Sequence, residues 1–564
     1  RSLREALFTD RFPDTFVSLL LSAVLLNLLH RFDEQKLLIL LDGYRHSSPE
    51  IQMRSLCCAL IVMYIYRERL PLLKSLRNRL DALCEEPRFK TDVRNIFLQF
   101  IKSQETEKIT RKMNEELLPE MMKLGPSLYK KIRQEDLMND INALEENPEW
   151  QEMLDKSGIT DKLKELTDLQ MEGADVFMST FSHLKSFPFF QSIQNWFLPF
   201  NPDHTALSGV LSGKGGDTFK KMISASALLC NSDKYSFCLS LAQVPESQRD
   251  LMMGQFSAEN AAVQEMEKEE LMKKEISREN ISNRYIQDLY RFFKLYIRRT
   301  EFTDPFAGHI NLLHVSVLNP LLSDSDSLRL IGEYYFRRGY YAEALELFER
   351  LSAAYHSDSE IYQKIGFCYQ KKGDYANALE AFLKAEIISP DNFWTIRRIA
   401  TCYRNMKKPE MALSYYHRAE KIQPENLSVQ MNIGHCYVEQ KDYEEALKYY
   451  FKVDYLDPEG GKAWRPIAWC SFLVGKKEQA QRYYEKILDD KPVSLDAGHV
   501  EFSLGHMRKA IDYYRRSIEL DNGDSAKFLS NFKQDAPDLI ASGIAASDMP
   551  ILLDQLMYGI TDSL

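Results

Sequence analysis

The chain has 564 residues, of which 45% are hydrophobic and 27% are charged, and its formal net charge is −10. This composition is typical of a folded protein, but the length exceeds the ~250–300 residues at which a single hydrophobic core usually stops growing. The acidic balance and the lack of a long Lys or Arg run give no electrostatic reason to expect nucleic acid as a partner.

Helices joined by short links are predicted for the first 125 residues, where prolines separate successive helical patterns. The expected helices cover residues 14–31, 33–45, 49–68, 71–85, 88–103 and 105–124. Two of them carry an arginine after an acidic residue near their start, Arg54 and Arg94, and these arginines stand 40 residues apart. This arrangement resembles the HEAT repeat family and implies a HEAT-like helical solenoid over residues 1–125.

Phe16–Leu29 is the most apolar run of the chain, at 14 residues. A membrane-spanning helix needs about 20 apolar residues, and Ser18, Ser22 and Asn27 interrupt this run. We therefore expect a buried helix rather than a membrane anchor, and no integral membrane segment. The chain starts with Arg1 rather than Met, so a targeting signal could precede it. With no export signal visible, we expect a cytoplasmic protein.

Residues 126–281 are predicted to form an irregular helical connector. Its middle is rich in aromatic residues, namely Phe177, Phe181, Phe187, Phe189, Phe190, Trp196, Phe197 and Phe200. Aromatic side chains usually bury themselves, so we expect a local core that joins two solenoid segments. An exposed partner-binding surface is the alternative.

Residues 282–324 are predicted to dock on, or cap, the neighbouring structure. Apolar residues recur at helical spacing from Tyr285 to Ile297 and give this helix a broad apolar face. Such a face must be covered, and we expect it to dock on the first repeat of the second half. A membrane surface or a partner protein are alternatives.

The second half of the chain repeats itself every 34 residues. Three kinds of residue recur at this step. A glycine or alanine occurs at Gly366, Ala400, Gly434 and Ala468. A second alanine follows 12 residues after each of them, at Ala378, Ala412, Ala446 and Ala480, and a proline recurs at Pro390, Pro424, Pro458 and Pro492. A fixed period of this length is typical of a helical array, in which each helix pair buries its apolar face against the next pair. The prolines are expected to separate the pairs, because proline cannot continue a helix.

This pattern resembles the tetratricopeptide repeat family. Full units are placed at 325–358, 359–392, 393–426, 427–460 and 461–494. A sixth unit is shorter, because Ala510 follows Ala480 by 30 residues. Pro466 falls inside the first helix of the fifth unit, where we expect it to remove a hydrogen bond and bend the helix.

The predicted fold is therefore an all-α superhelix, a HEAT-like solenoid followed by a tetratricopeptide solenoid. The repeat array is expected over residues 325–520. Capping helices are expected over 521–564, one of them starting at Ser547, because the last repeat needs a cover for its exposed face.

Four of the nine cysteines occupy one place in successive repeats, at Cys368, Cys402, Cys436 and Cys470. Equivalent residues of packed helices lie roughly 8–10 Å apart, whereas a disulfide needs Cα atoms within about 7 Å. We therefore expect free thiols that pack as small apolar side chains.

The sequence contains no recognisable catalytic, cofactor-binding or metal-binding motif. Its histidines do not form HExxH, and no GxSxG elbow is present. The glycine-rich stretch Gly209–Gly216 has one residue too few for a phosphate-binding loop, and Gly215 rather than a hydroxyl residue follows Lys214. We expect no enzyme activity, no cofactor and no metal.

A protein-binding groove is the expected functional site, because the resemblance implies that the first helices of the repeats line a concave surface. Arginine and aromatic residues, which are favoured binding anchors, dominate the groove positions of the middle units. The candidate groove residues are Trp394, Arg397, Arg404, His435, Lys462, Arg465, Trp469 and Phe472. The alternative is that these side chains stack on one another and pair with Glu333 or Glu360.

The predicted function is that of a non-enzymatic scaffold or adaptor that binds an extended or helical protein segment. The arginines favour an acidic partner with one or two apolar anchors. One alternative is a structural subunit of a larger assembly, and another is the regulatory region of an enzyme whose catalytic part lies upstream. A looser resemblance to bacterial helical-repeat proteins supplies no mechanism, and the sequence leaves the oligomeric state open.

Overall fold

The computed structural model describes residues 12–113, 177–211, 216–226, 229–245, 278–487 and 491–561, together with residues 4, 5, 7, 115, 175, 248 and 249. These residues form helices and connecting turns, and none of them is in a β-strand. The chain divides into two compact units, unit one from Arg1 to Ser327 and unit two from Leu328 to Leu564. No helix among the described residues is long and apolar enough to cross a bilayer.

Unit one begins with helices joined by short turns. They are α1 (Asp14–His30), α2 (Glu34–Gly43), α3 (Pro49–Ile65), α4 (Lys74–Cys84) and α5 (Phe89–Lys112). The apolar run of the sequence lies in α1, which buries Leu21, Leu25 and Leu28 and packs against α3. This helix therefore belongs to the core of unit one.

The predicted break between two helices near residue 104 is wrong. Helix α5 continues through Gln104 because the sequence from Phe89 to Lys112 contains no glycine or proline to end it. Most of the remaining predicted helix, up to residue 124, lies outside the described residues, as do most of the connector before residue 177 and the middle of the glycine-rich stretch.

Unit one continues with α6 (Met178–Ser182), α7 (Gly216–Ala225), α8 (Asn231–Leu241), α9 (Arg278–Leu295) and α10 (Asn319–Leu322). Helix α9 packs against both α3 and α5. Its Tyr285 hydroxyl lies 2.9 Å from the Ser22 hydroxyl of α1. The prediction that this apolar face docks on the first repeat is wrong, because the face is buried inside unit one.

The aromatic-rich segment is part of the same core. Phe181, Phe190, Trp196 and Phe197 are buried, and the other four aromatic residues are half-buried. The ring centre of Phe292 on α9 lies 4.8 Å from that of Phe197 and 6.0 Å from that of Trp196. The aromatic residues thus hold α9 in place instead of forming an exposed surface.

Unit two consists of helix pairs, and the first helix of its first pair starts just before the boundary. The pairs are α11 (Ser325–Arg337) and α12 (Tyr341–Ser352), α13 (Ser359–Lys371) and α14 (Tyr375–Ile388), α15 (Phe393–Asn405) and α16 (Pro409–Ile422), α17 (Leu427–Glu439) and α18 (Tyr443–Leu456), α19 (Trp464–Leu473) and α20 (Lys477–Glu485), and α21 (Lys491–Ser503) and α22 (Met507–Leu520). Asparagine caps two of the first helices, because the Asn392 and Asn426 side chains accept backbone hydrogen bonds three residues later.

The fifth pair differs from the prediction at Pro466. Helix α19 begins at Trp464, so Pro466 lies in its first turn. Backbone N–H groups in the first turn have no acceptor within the helix, and the proline therefore removes no hydrogen bond. The predicted loss of a hydrogen bond and the bend derived from it are wrong for this reason.

The end of unit two contains α23 (Ser525–Ala541) and α24 (Asp548–Thr561). The helix predicted to start at Ser547 corresponds to α24, which packs against α22 and buries Leu552 and Leu556. Helix α23 lies against both α21 and α22.

All nine cysteines are free, and only Cys84 is exposed. Burial raises the pKa of the repeat thiols, to about 12 for Cys368 and Cys470, so these groups are both inaccessible and protonated at neutral pH.

We expect a thiol reagent to modify one cysteine in the native protein and all nine after denaturation. A Cys84→Ser variant should lose the native reaction. Rapid native labelling of several thiols, or fewer than nine in denaturant, would contradict this.

Candidate binding groove of unit two

The groove face is the surface formed by the first helices of successive pairs, chiefly α15, α17 and α19. In α17 a glycine permits close packing, since a Cβ atom on Gly434 would lie only 2.5 Å from a ring carbon of Tyr450. The next residue is tied to the same ring, because His435 Nδ1 lies 2.8 Å from the Tyr450 hydroxyl. Thr401 of α15 lies 3.2 Å from the Tyr416 hydroxyl in the same way. The repeat pattern therefore fixes the position of a groove side chain.

An arginine stacked on two aromatic rings marks the start of the groove face. The guanidinium carbon of Arg398 lies 4.8 Å from the ring centre of Phe367 and 5.0 Å from that of Trp394. Burial, followed by the positive charge of Arg397, lowers the pKa of Arg398. Arg398 donates a hydrogen bond to the neutral side chain of Gln370, at 3.1 Å. Two neighbouring cations thus stand at the start of the groove, next to a neutral amide.

Arg404 connects α15 to α17. Its guanidinium donates to the Asn432 side chain and, at 3.3 Å, to the Glu439 carboxylate. Burial and, to a smaller degree, the charge of Arg404 lower the pKa of His435 to about 4. His435 is therefore uncharged at neutral pH and presents an aromatic, hydrogen-bonding surface.

A cavity of about 650 Å³ lies farther along the groove face. Arg465 and Asp496 of α21 both border it and form an ion pair at 3.1 Å. Burial raises the pKa of Asp496 although the Arg465 charge opposes this. The cavity is lined by His435, Tyr450, Arg465, Trp469, Asp496 and, from α23, Gln534. Its volume is in the range of small-ligand pockets. Its walls combine the rings of Tyr450, Trp469 and Phe528 with a larger number of polar and charged side chains, among them the carboxylates of Asp496, Asp521 and Asp535.

The structure brings three of the predicted groove residues into one cavity, namely His435, Arg465 and Trp469. Trp394, Arg397 and Arg404 lie together on α15. Lys462 is exposed in the turn before α19. Phe472 is 0% exposed and packs against Trp469, so its ring belongs to the core and not to the groove surface.

The alternative to partner binding is that the groove side chains stack on one another and pair with Glu333 or Glu360. Such contacts occur, but other residues make them. Glu333 and Glu360 both pair with Lys364, not with the predicted arginines. Stacking on Trp394 is made by Arg398, next to the predicted Arg397.

Sequence reasoning missed Arg398, Asp496 and the residues of α23 that line the cavity, although capping helices were expected over residues 521–564. The signal for Arg398 was present, since it follows Arg397 directly, but its packing depends on rings of the preceding pair. The signal in α23 was two phenylalanines four residues apart, Phe528 and Phe532, which indicate an apolar stripe on a helix.

Successive antiparallel helix pairs with a groove of aromatic and charged residues define unit two as a helical-repeat protein-interaction domain. Sequence profiles described as "Tetratricopeptide repeat" match residues 328–393, 398–426, 427–459 and 493–524. The matched residues, 328–393, 398–459 and 493–524, are therefore tetratricopeptide repeats. The matches do not extend into unit one, where the HEAT-like arrangement stays a prediction.

Solved structures show a limited similarity to part of the chain. MamA 41-end from Desulfovibrio magneticus RS-1 is 21% identical, with 29% of this chain and 93% of that chain covered and a TM-score of 0.29. PilF of Pseudomonas aeruginosa is 17% identical, with 37% and 97% covered and a TM-score of 0.32. None of the curated proteins compared with the chain matches it.

Proposed function

We propose that unit two binds an acidic segment of another protein along the groove face of α15, α17 and α19. Tetratricopeptide arrays generally serve as modules for protein interaction, and the repeats of unit two support this general role. The proposal adds the chemistry of the partner and its place on the array.

The observation that carries the proposal is the pair Arg397 and Arg398. Arg398 is held by stacking on rings, and Arg397 lies 5.6 Å from the ring centre of Phe393. After burial, the charge of Arg397 is the next cause of the lowered pKa of Arg398, so the two guanidinium groups repel each other. A carboxylate placed between them would relieve this repulsion and could accept paired hydrogen bonds from a planar guanidinium.

The cavity beside Trp469 supports the second element of the proposal, an apolar anchor on the partner. Arg404 pairs with Glu439, and Arg465 pairs with Asp496. The charges of these two arginines are therefore already matched within the chain, and we do not assign them to the partner's carboxylate. Trp469 and the uncharged His435 leave ring surface on the cavity wall. A large side chain of the partner would gain apolar contact there without separating an ion pair.

The test uses an array of peptides in which acidic, neutral and basic segments carry the same apolar anchors. We expect the wild-type chain to prefer acidic peptides, and Arg397→Glu to weaken their binding at least tenfold, about 1.4 kcal/mol. The loss should shrink at high salt, because salt screens exposed charges. Arg482→Glu is the matched control, since Arg482 is exposed on the second helix α20. A preference for basic peptides, or equal losses in both variants, would overturn the proposal.

A further inference from the structure

We propose that the groove face at α21 is a second binding surface, specific for an amphipathic helix that carries two aromatic residues four apart and a carboxylate three residues further. In this structure the chain's own α23 occupies that surface. An external helix with the same pattern is the partner that it fits. This inference does not depend on the acidic-segment proposal, whose arginine pair lies on α15, although α21 and α23 also line the cavity proposed there for an apolar anchor.

The contacts of α23 define the pattern. Phe528 and Phe532 are 3% and 2% exposed. Their ring centres lie 5.4 and 5.6 Å from that of Tyr514 on α22, and Phe532 lies 5.3 Å from His499 on α21. One turn further along α23, Asp535 Oδ2 lies 3.3 Å from His499 Nε2. Residues at these spacings share one face of a helix, so a single stripe makes all three contacts.

The array contains its own comparison for this surface. His499 lies 2.8 Å from the Tyr514 hydroxyl, just as His435 lies 2.8 Å from the Tyr450 hydroxyl. The two histidines therefore occupy the same place in two repeats. His435 borders the open cavity, whereas His499 is 0% exposed. The difference is helix α23, which covers the groove face at α21 as a bound helix would.

Helix α23 is attached by few side chains. Of its 17 residues, Phe528, Phe532 and Leu539 are buried. Its other faces are polar or open, and Asn531 and Gln534 border the cavity. The last repeat has a separate cover in α24, which packs against α22. Leu552 and Leu556 of α24 share one hydrophobic cluster with the buried residues of α23. The direct contact of α24 with α22 would nevertheless remain if α23 were released and the groove face at α21 uncovered.

The experiment adds a labelled peptide of residues 525–541 to the full chain. The wild-type chain should bind it weakly, because its own α23 fills the surface. The double variant Phe528→Ala/Phe532→Ala should bind the peptide at least tenfold more tightly. A peptide with the same two alanines should bind neither chain. The matched control is Leu529→Ala/Lys533→Ala, which has the same spacing on the exposed side of α23 and should behave as the wild type.

Circular dichroism must show that the double variant keeps its helical content. If it unfolds, Asp535→Ala decides the question, since it removes one contact and should still raise peptide affinity severalfold. Equal binding by wild type and folded variants, or no binding by any of them, would overturn the inference. Arg397→Glu should leave peptide binding unchanged, so a failure of the acidic-segment proposal is distinguishable from a failure here.

Discussion

Replacing Arg291 with methionine should destabilise unit one by about 3–5 kcal/mol, because it leaves buried carboxylates without their main cation. Arg291 on α9 contacts Asp175 at 2.5 Å and Asp233 at 2.6 Å, and Lys185 contacts Asp233 at 2.8 Å. All four side chains are at most 5% exposed. Methionine fills a similar volume, so the loss would report charge and not a cavity.

Urea unfolding followed by hydrogen exchange in peptides from α8 and α9 would measure this effect within unit one. Arg298→Met is the control, since Arg298 pairs with Glu301 where both side chains are mostly exposed, and such pairs add little stability. Equal stability of the Arg291 and Arg298 variants would show that the buried ion cluster is not needed for folding.

The loss of stability caused by Arg291→Met should also depend on pH. Burial acts to raise the pKa of Asp233, but the charges of Arg291 and Lys185 outweigh it and hold the pKa below its usual value. In the wild type this stabilisation is present above the unfolded pKa of about 3.9 and is lost as pH falls through the folded pKa. Without Arg291, protonation of Asp233 relieves a buried charge. The stability difference should therefore narrow as the pH is lowered from neutral towards about 4.

Gly434→Leu should destabilise unit two by about 1–3 kcal/mol, because overpacking forces shifts in a closely packed crossing. A Cβ atom at this position would lie 2.5, 2.8 and 2.9 Å from three ring carbons of Tyr450. The ring is buried and hydrogen-bonded to His435, so it has little room to move. Thermal unfolding and hydrogen exchange in α17 and α18 would measure the loss.

Gly434→Ala is the matched control for this prediction. Alanine occupies the same place in the two neighbouring repeats, as Ala400 and Ala468. In those repeats Tyr416 and Tyr484 are the equivalents of Tyr450, and both are also buried. The array can therefore accept one methyl group after a small adjustment. We expect the alanine variant to lose much less stability than the leucine variant. A leucine variant as stable as the wild type would show that this crossing is not closely packed.

The repeat half of the fold could be predicted because its signals are local and occur several times. Gly434 and Ala446, for example, lie on the first and the second helix of one repeat, and these two helices contact each other. The position of α9 could not be predicted in this way. Its apolar face identified a buried helix, but the neighbours of Tyr285 and Phe292 come from α1 and from the aromatic segment, far away in the sequence.

The candidate site shows the same limit. Helical spacing placed His435, Arg465 and Trp469 on one surface, and all three border the cavity. The same spacing included Phe472, which is fully buried in a hydrophobic cluster with residues of the sixth pair, such as Val500 and Tyr514. The coverage of His499 by α23 depends on how the chain turns after the last repeat, and no periodic signal encodes that turn.

The short connection before α23 determines how tightly an external helix must bind in order to replace it. Helix α22 ends at Leu520 and α23 starts at Ser525, so the internal helix is tethered next to its own binding surface. A short tether gives an effective local concentration in the millimolar range. A free helix of equal intrinsic affinity would need about that concentration to compete, which rules out weak and scarce partners. The groove face at α21 would open only to a helix that binds far more tightly than α23, or to one delivered close by through another contact.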